Sequence, residues 1–252
     1  METITVSSRY RPRPDLLRGK TILVTGAGDG IGRAAAQCYA ARGATVILLG
    51  RTGAKLEAVY DKIEAAGGPQ PAIVELDLAS ATEDHFQRLA DSLGDTFTHL
   101  DGLLHNAGIL GERRPIESAS YASWLEVMQV NVNAQFLLTR YLLPLLQAAP
   151  AASVVFTSSG VGRRGNAYWG AYAVSKFATE GLMQVLASEL ENTSKVRVNS
   201  LNPGATNTAM RRSAYPAENP NRNPAPQDIM LAYLFLMGDD SAGVTGKAFD
   251  CR

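Results

Sequence analysis

The stretch Thr21-Ile-Leu-Val-Thr-Gly-Ala-Gly-Asp-Gly-Ile-Gly32 decides the architecture of this chain. Residues 21–25 form a short apolar, β-branched run, the pattern of a strand buried on both faces. Glycines at 26, 28, 30 and 32 follow directly, and then Ile31, Ala34, Ala35, Cys38 and Tyr39 recur at helical spacing up to Gly43. A strand, a glycine turn and a helix start together present backbone N–H groups and a helix dipole to an anion. The strict Gly-x-Gly-x-x-Gly fingerprint fails, since Gly28-x-Gly30 would require glycine at Arg33, and the Walker pattern fails as well. What stands here is Thr25-Gly26-x-x-x-Gly30-x-Gly32. A tight turn without a ligand is the competing reading, and so many glycines at one helix start make it the poorer one.

Working outward, apolar runs at 45–49, 72–76, 100–104, 153–157 and 196–201 read as further strands, with a short last one at 247–250. Helical patterns at 55–66, 124–149, 171–191 and 229–237 alternate with them, the second interrupted near Pro144. Gly67-Gly68 closes one helix, and Ser80-x-x-Glu83 has the form of a capping box opening another. Residues 202–226, rich in Pro, Asn, Ala and Arg without periodicity, read as a loop. Strands alternating with helices imply right-handed crossovers and a parallel sheet covered on both faces. No linker, repeat or composition break divides the chain, so residues 17–252 read as a single α/β domain, Rossmann-like and doubly wound, and residues 1–16 as an exposed arm.

Composition excludes several classes. Formal net charge is zero over 252 residues, which gives no electrostatic case for nucleic acid or an acidic membrane surface. Cys38 and Cys251 show neither metal-ligand spacing nor a disulfide framework, and a reducing, cytoplasmic setting fits them. No apolar run reaches the length of a membrane span, and the first residues have no apolar core of a secretory signal. His85, His99 and His105 do not form a ligand set, so no metal is expected.

Two further features carry chemistry. Gly50-Arg51 ends the second strand, where an acidic residue would bind a ribose 2′-hydroxyl. A fixed cation there pairs with a 2′-phosphate instead, which favours NADP(H) and leaves NAD(H) as the second choice. Asp29, inside the glycine turn, weighs against that preference, and a solvated helix-entry charge is the plainer reading of Arg51. Tyr172-Ala-Val-Ser-Lys176 puts a phenol and an ammonium one helical turn apart. A phenol keeps its proton to a pH of about 10, and a neighbouring lysine pulls that value down toward a useful range. A half-buried tyrosine beside a lysine with its charged end in water is the ordinary alternative.

Taken together, Thr25-Gly26-x-x-x-Gly30-Ile31-Gly32, Asn106-Ala107-Gly108, Asn131, Ser159, Tyr172-x-x-x-Lys176 and Pro203-Gly204 resemble the short-chain dehydrogenase/reductases in order and spacing. HNAGILG, MQVNVNA, WGAYAVSKFATEG and FLMGDDS are similar to the YciK-type bacterial oxidoreductases within that family. The resemblance implies a sheet of about seven strands, a homodimer or homotetramer, and a small carbonyl or secondary alcohol as substrate. Under it Tyr172 is the general acid/base, and Lys176 lowers its pKa and binds the nicotinamide ribose. Ser159 holds the substrate oxygen, in preference to Ser158, and Asn131 supports a proton relay through Lys176. Gly26, Gly28, Asp29, Gly30, Ile31 and Gly32 would form the cofactor-binding turn, Arg51 would meet the 2′-phosphate, and Asp77 and Leu78 would flank the adenine. Asn106, Ala107 and Gly108 would line the ribose region; Pro203, Gly204, Thr206 and Thr208 would hold the nicotinamide. His105 replaces an asparagine common before Asn-Ala-Gly and reads as a packed histidine.

The rivals fare worse. A hydrolase would need a nucleophile elbow around Ser159 and a histidine after it, and neither is present. An epimerase or dehydratase using the same Tyr and Lys would carry a larger C-terminal region. A cofactor-binding sensor or scaffold without turnover is the reading from another class, and the intact set of Asn131, Ser159, Tyr172 and Lys176 argues against it. Tyr168, Trp169 and residues 209–226 are the expected substrate wall, their aromatic and apolar content pointing to a hydrophobic or cyclic carbonyl compound.

Overall fold

The apolar runs form parallel strands in the computed structural model, which describes residues 3–251. These are β1 (Thr3–Thr5), β2 (Thr21–Thr25), β3 (Thr45–Gly50), β4 (Ala72–Glu75), β5 (Gly102–His105), β6 (Ser153–Thr157), β7 (Arg197–Asn202) and β8 (Lys247–Asp250). The helices are α1 (Gly30–Ala40), α2 (Gly53–Ala65), α3 (Glu83–Thr96), α4 (Tyr121–Met128), α5 (Ala134–Gln147), α6 (Gly170–Leu190), α7 (Ala209–Ala214) and α8 (Met230–Met237). Across the sheet the strand order is β1-β8-β7-β6-β5-β2-β3-β4. From β2 the chain winds outward to β4 and then returns to build the other half from β5. A crevice therefore opens at the carboxyl ends of β2 and β5, the place where such folds bind ligands.

Side chains of successive strand residues point to opposite faces, and both faces are apolar because both are covered. Ile22, Val24, Val46, Leu48 and Val155 pack under α1, α2 and α8. Leu23, Ile47, Leu49, Val154 and Phe156 pack under α3, α5 and α6. Each such side chain contributes about 1.5–3 kcal/mol by leaving water, so truncating Leu23 or Leu48 weakens a whole layer. Gly32 opens α1 hard against β2, and a β-carbon there would collide with the Gly26 carbonyl oxygen. Only glycine permits the helix to start so close to the strand.

Four features differ from the sequence reading. The sheet has eight strands, one more than the resemblance implies, because Thr3, Ile4 and Thr5 pair with Ala248, Phe249 and Asp250 as an exposed edge. Thr3-Ile4-Thr5-Val6 alternates polar and apolar β-branched residues, but the run is short and residues 3–5 are exposed, so it reads as part of the arm. Met1 and Glu2, in the expected arm, lie outside the described residues. The capping box belongs to Thr82 and His85, not to Ser80 and Glu83, since Asp77 to Ser80 closes a turn before the helix begins. Glu83 instead accepts from Arg140 and Tyr141 on α5. The long helix at 124–149 is two helices joined by a π turn, Gln129–Asn133, and Pro144 sits inside α5 without ending it. Within 202–226 the chain forms α7, capped by the Thr208 hydroxyl on the Arg211 N–H at 3.1 Å, and a short turn at Pro220–Arg222.

Candidate active site

A cleft of about 800 Å³ follows the carboxyl ends of the strands from the glycine turn to α7. Every candidate catalytic or cofactor-binding residue named from the sequence lines it except Gly32 and Asn131. Gly32 is taken up by the packing of α1 on β2. Asn131 is fully buried in the π turn: its Oδ1 accepts from the Ile109 N–H at 2.8 Å, and its Nδ2 donates to the Ile109 carbonyl and the Ser175 hydroxyl. A π turn inside a helix commonly marks a functional position. Here it fastens the loop after β5 to α6.

At one end of the cleft, Asp29 caps α1 by accepting from the Gly30 N–H at 2.7 Å. The same carboxylate takes an ion pair from Lys55 at 2.8 Å, and that bond holds its pKa below the ordinary carboxylate value. Arg51 is exposed at the end of β3 and makes no hydrogen bond or ion pair with any described residue. The acidic group in the turn is thus neutralised while a guanidinium beside it is available. Asn106 is pinned by the Thr25 hydroxyl through its N–H at 2.9 Å, and its Nδ2 donates to the Thr25 carbonyl.

At the other end, Tyr172 and Lys176 project from α6. Lys176 is 3% exposed, and its Nζ donates to the Thr157 carbonyl at 2.7 Å. It lies 5.7 Å from the centre of the Tyr172 ring. Burial lowers its pKa to about 8, and the charge of Glu180 opposes that fall. The tyrosine differs from expectation. Burial raises the Tyr172 pKa to about 12, with the Ser159 hydroxyl pulling the other way. In the chain alone desolvation outweighs any help from the ammonium, which directs its hydrogen bond at Thr157. Ser159 is half-buried in the cleft, accepting from the Val161 N–H at 3.4 Å, whereas the hydroxyl of Ser158 is buried without a partner.

The wall beyond Tyr172 is apolar: Leu110, Val161, Trp169 and Met210 cluster with it. Tyr168 does not line the cleft; it is 57% exposed, at the left-handed φ of 71°. The sequence reading also lacks Arg113, whose guanidinium stacks on Trp169 at 4.6 Å and on Tyr215 at 4.9 Å and donates to the Ala214 carbonyl. Arg211 covers Tyr215 at 3.8 Å and forks onto Glu218. The roof over the wall is therefore a stack of cations and rings. Local spacing does not signal it, because Arg113 and Tyr215 are far apart in sequence.

His105 is a packed histidine. It stacks on Phe156 with ring centres 4.6 Å apart, and its Nε2 lies 2.9 Å from the Thr139 hydroxyl. Among the described residues no group of three or more His, Cys, Asp or Glu could hold a metal ion, and no helix is long and apolar enough to cross a membrane.

A family model described as short chain dehydrogenase matches residues 20–219. The chain is 55% identical over 243 residues to the uncharacterised oxidoreductase YciK of Escherichia coli K12, covering 96% of each sequence. A solved structure assigned as a short chain dehydrogenase of Escherichia coli CFT073, complexed with NADPH, superposes with a TM-score of 0.93 at 55% identity, covering 96% of this chain and all of that one. A Shigella flexneri counterpart complexed with NADP gives 0.93 at 54% identity, covering 95% and 99%.

Proposed function

The chain belongs to the short-chain dehydrogenase family, and from that membership we propose that it transfers a hydride between NADP(H) and a carbonyl compound or secondary alcohol. One observation carries the reading: a single cleft joins the glycine turn and the unpaired Arg51 to Ser159, Tyr172 and Lys176. The solved counterparts complexed with NADPH and NADP support the choice of cofactor.

The residues present fit that cofactor. The glycine turn from Gly26 to Gly32 at the start of α1 would hold the pyrophosphate, the Gly30 N–H being taken by Asp29, and Arg51, which has no partner among the described residues, would hold the 2′-phosphate. Asp77 and Leu78 bound the adenine, Asn106 to Gly108 the ribose, and Pro203 to Thr208 the nicotinamide. When bound, the cofactor supplies or takes the hydride. The chain does the rest. Ser159 holds the carbonyl oxygen, where negative charge grows. Tyr172 Oη donates its proton to that oxygen as hydride reaches the carbon, giving the alcohol. A phenol with a pKa of about 12 is fully protonated at neutral pH, which suits the reductive direction. Lys176 holds a positive charge beside the phenolate that forms, and Asn131 keeps the loop after β5 against α6 along the proton path.

The substrate class follows from the wall. Leu110, Val161, Trp169 and Met210 present apolar and flat surfaces, and the nearby cation Arg211 is already paired with Glu218. An uncharged, hydrophobic or cyclic carbonyl compound fits there. We assign residues 17–252 to one catalytic domain with a short arm before it, acting in the cytoplasm as a homodimer or homotetramer.

The test is a fluorescence titration with NADPH and NADH, followed by a screen of cyclic and apolar ketones with NADPH. Reduction of such a ketone that vanishes in Tyr172→Phe, with NADPH binding retained, is the expected result. Unchanged turnover in Tyr172→Phe would remove the tyrosine from the mechanism. NADPH binding without turnover of any carbonyl would favour a cofactor-binding sensor.

A further inference from the structure

A buried charge cluster beneath the catalytic helix has no part in the mechanism above. Glu180 lies one turn beyond Lys176 on α6 and is 4% exposed. Both of its carboxylate oxygens are engaged, Oε1 by Arg163 Nε at 3.0 Å and Oε2 by the Ser200 hydroxyl at 2.6 Å. Arg163 also reaches Asp250 Oδ1 at 2.7 Å and the Phe249 carbonyl at 2.9 Å. Asn202 Nδ2 donates to the same Asp250 oxygen at 2.8 Å. The turn that carries Arg163 begins at Ser159, and its Gly162 lies directly on the backbone of Lys176.

The charges do not balance without the lysine. Two carboxylates, Glu180 and Asp250, share one guanidinium, Arg163. Lys176 has no carboxylate partner of its own, and its ammonium bonds only to a carbonyl. Adding it makes two cations against two carboxylates. A buried charge left uncompensated costs several kcal/mol. The other groups facing Lys176 supply no charge: His105 on β5 is held neutral by burial, and Tyr172 and Ser159 are neutral hydroxyls.

We propose that Glu180 is the counter-charge of Lys176, a positioning residue that Arg163, Ser200 and the β8 residue Asp250 hold in place so that the lysine stays an ammonium beside Tyr172. This rests on the reading of Lys176 as the partner of Tyr172. Glu180 does not touch substrate or cofactor and acts only through the lysine. The two side chains leave α6 one turn apart, and Gly162 of the turn that carries Arg163 lies on the Lys176 backbone, so the cluster is built around the lysine.

The test reads the lysine directly and needs no substrate. Six lysines in the chain, Lys20, Lys55, Lys62, Lys176, Lys195 and Lys247, make ¹³Cε-lysine NMR titration tractable. Lys176→Met assigns the signal. Wild-type Lys176 should titrate at about 8, and Glu180→Gln should shift the midpoint down by about one pH unit or more. Glu180→Asp, which keeps the charge, should restore most of it. Asp250→Asn, at a partly exposed position, should shift it the same way by less. The sign decides the matter, because a merely structural loss would admit water and move Lys176 up toward its ordinary value. An unchanged or raised midpoint in Glu180→Gln overturns the proposal, and if that variant does not fold, the same result in Asp250→Asn does. Failure of the hydride-transfer reading would show separately, as turnover that survives Tyr172→Phe.

Discussion

Lys55 Nζ lies 2.8 Å from the carboxylate of Asp29, across the mouth of the glycine turn and beside the unpaired Arg51. An exposed ion pair of this kind contributes at most about 1 kcal/mol to folding. Its consequence is electrostatic. The one carboxylate in the turn is matched by Lys55, so it does not compete with a 2′-phosphate for Arg51. The apparent conflict between Asp29 and Arg51 in the sequence disappears once Lys55 is in place.

Arg51→Ala should therefore weaken NADPH binding by about 10–100-fold, the loss of one charge-assisted hydrogen-bonding group. NADH binding should stay within a factor of about two. Lys55→Ala should weaken NADPH in the same direction but by less, because it unmasks Asp29 without removing the phosphate partner. Fluorescence titration with both nucleotides measures all of these. Equal losses for NADPH and NADH in Arg51→Ala would mean that the guanidinium only shapes the site.

The roof predicts a different readout. Arg113 fastens α7 through Trp169, Tyr215 and the Ala214 carbonyl, and each cation-ring contact is worth about 0.5–2 kcal/mol. A helix as short as α7 has little stability of its own. Arg113→Ala should release it, so that trypsin cleaves after Arg211 or Arg212 at least several-fold faster than in the native chain. NADPH binding should survive through the glycine turn and Arg51, with any loss confined to the nicotinamide end, where Thr208 caps α7. Cleavage at the wild-type rate would show that the Arg211–Glu218 fork alone secures the roof.

How far the sequence could be read follows from the range of the forces involved. Alternating Ile22, Leu23 and Val24 must serve two apolar layers, so the covered parallel sheet was legible from spacing. The pairing of Tyr172 with Lys176, one turn apart on a helix, was legible for the same local reason, whereas Ser159 was chosen over Ser158 only through the spacing of the family that the chain resembles. The edge strand Thr3–Thr5 was passed over, because the alternation Thr3-Ile4-Thr5-Val6 is short and residues 3–5 are exposed, at the very edge of the sheet. α7 was missed because tertiary stacking of Arg113 and Arg211 on Tyr215 holds a segment whose own composition suggests a loop. The raised pKa of Tyr172 also escaped: a lysine at i+4 is visible in a sequence, whereas the desolvation that outweighs it is a property of the packed site.

Exposed apolar groups on the outer helices give the assembly prediction. Phe136 on α5 and Val174, Phe177 and Val185 on α6 are each more than 40% exposed. A face of this kind on two neighbouring helices suits a two-fold contact with a second copy. Light scattering at micromolar concentration should give a dimer or tetramer mass. Phe177→Asp combined with Val185→Asp should shift the population toward monomer, since both charges would be buried in the contact. A monomeric mass for the wild type would end this assignment.

His105 makes the stability of the chain depend on pH. Burial between Phe156 and Thr139 lowers its pKa to about 3, against about 6.5 in an unfolded chain. Between those values the unfolded state binds the proton and the folded state does not, so stability is full above pH ~6.5 and is lost as pH falls toward ~3. From pH 6.5 to 5 the loss from this residue is about 2 kcal/mol, one and a half pH units at about 1.4 kcal/mol each. His105→Asn loses the ring stack, at a cost of about 0.5–1.5 kcal/mol at pH 7, but carries no such proton linkage. Urea unfolding at pH 7 and pH 5 should therefore show a smaller drop for the variant than for the wild type. Equal drops would mean that the imidazole takes up its proton while the chain stays folded.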